Sequence, residues 1–131
     1  MSRIGRVFLG SGRIDEPLRS ELLAAGPLVF AEGLRGSYVL RTPGEYTANP
    51  TRGAVALCRN RFVVWSRKSK TVDVPLTREW LDRVTVTADD PRRLVVTAQL
   101  SGNPAVNIGS LSVRLRTPEA RRIVEILSRV R

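Results

Sequence analysis

From Gly53 to Arg116 the chain is a succession of short runs in which apolar and polar residues alternate. At Thr117 that period of two gives way, once, to a helical stripe. Several alternating runs at roughly 8–12-residue spacing, divided by turn residues, restrict a chain to an antiparallel sandwich or barrel. A lone amphipathic helix after them must bury its stripe against that sheet, and the open end of a barrel is where it fits.

The individual runs can be placed. Gly53–Cys58 and Phe62–Ser66 are β-rich and separated by Arg59-Asn60-Arg61, a tight hairpin in which Asn60 tolerates a left-handed backbone. In the second run Val63 and Trp65 share one face and Phe62 and Val64 the other. Both faces are apolar, so this strand is expected to be covered on both sides, with Trp65 in a core. Arg67-Lys68-Ser69-Lys70 is the next turn. Thr71–Leu76 is a strand ended by Pro75, which marks it as an edge. Val84, Val86 and Ala88 form the inward side of a further strand, closed by the turn Ala88-Asp89-Asp90-Pro91. Leu94, Val96 and Ala98 form the next, closed by Ser101-Gly102-Asn103-Pro104. Leu111, Val113 and Leu115 then alternate with Ser112, Arg114 and Arg116, one face on a core and one in water.

The terminal helix has the clearest start in the chain. Thr117 caps, Pro118 takes the first helical position, and Glu119 opposes the macrodipole. Ala120, Ile123, Val124, Leu127 and Val130 form its apolar stripe.

The first third is less regular. Residues 1–14 are rich in Gly and Arg and read as a flexible basic N-terminal arm, leaving 15–131 as a single domain. Asp15-Glu16-Pro17 starts a helix of about three turns, with Leu18, Leu22 and Leu23 on one face and Gly26-Pro27 as its stop. Leu28-Val29-Phe30 is a short apolar run and Gly36–Arg41 a strand. The segment from Thr42-Pro43-Gly44 to Asn49-Pro50 reads as a loop. The expected fold is mainly β: a seven-stranded antiparallel barrel or sandwich, with a short N-terminal helix and a capping C-terminal one.

Composition narrows the chemistry. Among 131 residues there is no histidine and one cysteine. The commonest general base and metal ligand is therefore missing, and intramolecular disulfides and Cys-cluster zinc sites are excluded. Asp89-Asp90 is explained by its turn. No serine has a histidine partner, and the glycines at 33 and 36 lack a phosphate-loop continuation. An enzyme is not expected, nor a cofactor. Cys58, inside Ala54–Cys58, reads as a small buried hydrophobe. No run approaches the ~18 apolar residues of a membrane span, and the apolar run near the N-terminus is too short for a signal peptide; a cytoplasmic protein is expected.

The net charge is +10, from 22 basic and 12 acidic residues, and only Lys68 and Lys70 among the bases are lysines. Arginine holds phosphates and carboxylates bidentately and stays charged, so an anionic partner is expected. The densest basic interval lies between Glu45 and Asp73. In it, Arg59 and Arg61 fall at one end of the barrel and Arg67, Lys68 and Lys70 at the other. These five are the candidate anion-binding residues. Trp80 either packs under the terminal helix or rims a groove.

Seven strands and a capping helix is the layout of the pleckstrin-homology (PH) superfold. The stretch Gly53–Ser66 resembles the central hairpin of GRAM and bacterial PH-like domains, and Thr71–Leu76 resembles the strand that follows it. The segment Leu18–Arg41, with Glu32-Gly-Leu-Arg-Gly36, is similar to an uncharacterised group of bacterial PH-like proteins. The resemblance implies a non-enzymatic module for protein interaction or self-assembly. Eukaryotic PH domains bind inositol lipids through bases on the first two strands and their loop, whereas residues 42–52 here carry Arg52 alone. Two other expectations follow from the charge: binding to anionic lipid at the inner membrane face, and nucleic-acid binding by a small basic barrel.

Overall fold

The alternating runs pair into one continuous sheet. The computed structural model describes residues 12–66, 69–99 and 109–130, with backbone only at Ser69 and Lys70. In chain order the elements are α1 (Leu18–Ala24), β1 (Val29–Thr42), β2 (Glu45–Leu57), β3 (Arg61–Ser66), β4 (Ser69–Pro75), α2 (Arg78–Leu81), β5 (Val84–Asp90), β6 (Arg93–Gln99), β7 (Ser110–Arg116) and α3 (Ala120–Val130). All strand pairs are antiparallel, and the strand order is β4-β3-β2-β1-β7-β6-β5. The seven strands curl into a half-barrel.

The inward face carries the main core. It draws Val29, Val55, Leu57, Phe62, Val64, Val72, Val74, Val84, Val86, Leu94, Val96, Val113 and Leu115 from all seven strands, together with Leu81 of α2. Helix α3 adds Ala120, Ile123 and Leu127, all at most 2% exposed, and packs against β5 and β6. Its first turn is fixed by Thr117, whose Oγ1 accepts from the Glu119 N–H at 3.1 Å. A second core lies on the other side of β2 and β3. There Ala54, Ala56, Cys58, Val63 and Trp65 are covered by Leu22 of α1 and by Ile14. The two faces of β3 thus divide as the sequence pattern requires, and Trp65 is buried.

Several features differ from the sequence reading, and Ser69-Lys70, read as part of a turn, already belong to β4. Val29-Phe30 and the segment 36–41 are parts of one strand, β1, whose register shifts between Ala31 and Leu34. Gly33, at φ 69°, lets the strand kink there without ending. The expected loop over 42–50 is only a turn at Pro43-Gly44; residues 45–50 already belong to β2. Pro50 is tolerated because β3 pairs with β2 only from Gly53 to Leu57, so at Pro50 one side of β2 has no ladder to break. Helix α1 is seven residues long rather than three turns, and Leu23 is 42% exposed. Residues 78–81 form a helical turn, α2, capped by Thr77, whose side chain accepts from the Trp80 N–H.

Of the arm expected over 1–14, the described residues 12–14 are packed against the sheet. Ile14 is buried and donates its N–H to Glu32 Oε2 at 2.9 Å, and Gly12 accepts from the Gly33 N–H at 2.9 Å. Residues 1–11 lie outside the described residues, as does the turn expected at 101–104. Pro75 does end an edge strand, β4, and β5 forms the opposite edge.

Candidate anion-binding face

The curl leaves the opposite side of β1, β7 and β6 facing outward, and that side is basic. Arg35 of β1 is exposed and stands opposite Arg52 of β2. On its other side Gly36 pairs with Leu115, which puts Arg35 next to Arg116 of β7, and Arg116 pairs with Arg93 of β6. The order Arg52–Arg35–Arg116–Arg93 is therefore one row across four adjacent strands. Three gaps of about 4.8 Å make it about 14 Å long. Arg114 stands two residues along β7, between Ser37 and Val95, and Arg92 follows in the β5–β6 turn.

Partners inside the protein are few. Arg52 Nη1 donates to the Gly33 carbonyl at 3.2 Å. Arg93 Nε donates to Asp89 Oδ1 at 2.8 Å, and that bond holds the Asp89 carboxyl below the usual range, with Arg114 adding to the effect. Asp90 accepts from the Arg92 backbone N–H at 2.9 Å. Arg35 and Arg116 have no ion pair among the described residues. Like charges placed opposite each other on adjacent strands destabilise a sheet by several tenths of a kcal/mol per pair. An anion laid along the row would relieve that repulsion. At the β6 end the row opens into a cleft of about 640 Å³ lined by Asp90, Arg92, Arg93, Arg116, Thr117 and Pro118.

The residues singled out from sequence sit elsewhere. Arg59 is exposed in the β2–β3 turn. Arg61 opens β3 and is engaged by two carboxylates. Its Nε and Nη2 donate to Asp73 at 2.7 and 2.6 Å, and its Nη1 donates to Glu21 at 2.9 Å. Those hydrogen bonds, Asp73's first, bind its proton even more firmly than in a free arginine. Arg61 thus fastens α1 and β4 to β3 and has little left to offer an external anion. Arg67 and Lys68 lie outside the described residues; Lys70 is in β4, opposite Trp65, with only its backbone described. Trp80 is 40% exposed, with the Arg83 guanidinium 4.9 Å from its ring centre.

Nothing among the described residues groups three metal-ligating side chains. Cys58 is buried, and burial pushes its thiol above the ordinary value, which suppresses the nucleophilic thiolate. A thiol reagent such as Ellman's is expected to leave Cys58 unmodified in native protein and to titrate one thiol in denaturant; rapid native reaction would contradict its burial.

Sequence reasoning missed the row because its members come from four strands. The signal that did exist was the outward alternation of Arg114 and Arg116 in β7. No protein-family model matches the chain, and no curated protein matches it either.

Proposed function

We propose that the chain is a non-enzymatic interaction module of PH-like layout that docks a polyanionic partner on the outward face of β1, β7 and β6. The observation that carries this reading is the row Arg52–Arg35–Arg116–Arg93, of which only Arg93 has an ion pair among the described residues. The PH-like part is supported by the element order: a four-strand meander, a three-strand meander and a terminal helix. The charge supports an anionic partner, since the row belongs to a chain of net charge +10. No helix among the described residues is long and apolar enough to cross a membrane.

Elution from heparin, a generic polyanion, tests the reading. The double variant Arg35→Glu/Arg116→Glu is compared with Arg121→Glu/Arg129→Glu, which changes net charge equally on exposed positions of α3. The row variant is expected to elute at clearly lower salt than the helix variant, because a local row, not total charge, makes the contact. Coelution of the two would overturn the reading.

A further inference from the structure

We infer that the partner held by the arginine row is the phosphodiester backbone of a single-stranded nucleic acid. The inference rests on the polyanion-docking reading and names its partner class. The first support is shape. The row runs across the strands, and so around the convex side of a sheet that curls over its core. A flexible chain of phosphates can follow that curve. A flat bilayer or a stiff duplex meets a convex face only along a narrow contact.

The second support is what flanks the row. Proteins that settle on membranes sink apolar side chains below the headgroups. The described large apolar side chains that are exposed stand away from the row. Leu23 and Leu28 flank the end of α1, Trp80 is in α2, and Tyr46 stands opposite Arg41. Arg41 is six residues along β1 from Arg35, about 20 Å away.

The third support is chemistry. Guanidinium forks match phosphate oxygens in pairs. The same outward face carries hydroxyls: Ser37 lies opposite Arg114, and Thr97 and Ser112 share a hydrogen bond of 2.9 Å. Half or more of the hydrogen bonds in protein–DNA interfaces go to phosphate and sugar, with arginines and hydroxyls among the donors. With no aromatic ring on the row, base stacking contributes little. Binding is therefore led by the backbone and indifferent to sequence.

The test is fluorescence anisotropy of a labelled 20-nucleotide oligo-dT with the nuclease-treated full chain over a range of NaCl. Neutralising about four phosphates on a single strand gives a slope of about 3 for log Kd against log salt, at about 0.7 per phosphate. Arg35→Glu/Arg116→Glu is expected to weaken binding by about tenfold or more and to lower the slope by between about 1 and 2. Arg121→Glu/Arg129→Glu is expected to have a much smaller effect. Circular dichroism checks folding, and Arg35→Gln/Arg116→Gln replaces the reversal variant if it is unfolded. If oligo-dT fails to bind at low salt while heparin or phosphatidylglycerol vesicles bind through the row, the nucleic-acid inference is overturned and polyanion docking stands. If row and helix variants weaken every polyanion equally, both fall.

Discussion

Leu127→Asp is expected to destabilise the protein by about 3–5 kcal/mol or more, enough to leave much of it unfolded at moderate temperature. Leu127 is 2% exposed and shares the main core with Ile123 of the same helix and with Val84, Val86, Leu94 and Val96 of β5 and β6. Removing a buried leucine side chain alone costs about 2–5 kcal/mol. A carboxylate in its place must be desolvated without a partner or take up a proton, which adds to that cost. A domain's whole stability is about 5–15 kcal/mol, so this is a large fraction of it. Urea denaturation followed by circular dichroism measures the effect, with Ser128→Asp, on the exposed side of α3, as the neutral comparison. Equal midpoints for Leu127→Asp and the parent would mean that α3 does not close the half-barrel.

Gly36→Ala is expected to cost at least about 1–3 kcal/mol, the range for forcing extra volume into a packed site. A Cβ at residue 36 would stand 1.7 Å from the Arg114 carbonyl oxygen and 2.8 Å from its carbonyl carbon. Both atoms are backbone, so no side chain can swing aside, and β1 and β7 must move apart. Gly36 faces Leu115, the pair adjoining Arg35 and Arg116. The substitution therefore strikes the junction between the two meanders and the register of the arginine row together. A lower denaturation midpoint and weaker heparin retention of the protein that remains folded are both expected. A midpoint and an elution salt unchanged from the parent would contradict the β1–β7 pairing.

The local grammar of the chain was legible where one residue type decides one feature. Thr117-Pro118-Glu119 marks the start of the last helix, and the helix begins there. The Leu111/Val113/Leu115 alternation marks β7, and Pro75 marks an edge. Reading failed where a residue's meaning depends on its neighbour across the sheet. Pro50 looks like a breaker, yet it is harmless on the half of β2 that outruns β3. Gly33 lies between two runs read as separate, yet it makes a kink within the one strand β1.

The site was harder to read for the same reason. Arg61 stands in a basic run, but its partners are 12 and 40 residues away in sequence, at Asp73 and Glu21. Arg35, Arg52, Arg93 and Arg116 are scattered singly along the chain, and only strand pairing sets them in line. Composition suggests the class of partner proposed above, while the face proposed for it comes from the strand register.

The most direct test of the docking face is a residue-by-residue map. Backbone amide shifts recorded while a short heparin fragment is titrated into the full chain are expected to be largest at Arg35–Ser37, Arg92–Val95 and Arg114–Arg116, the positions that converge on the row. Shifts centred instead on Arg59 and Arg61, or on Arg121 and Arg129 of α3, would contradict the account.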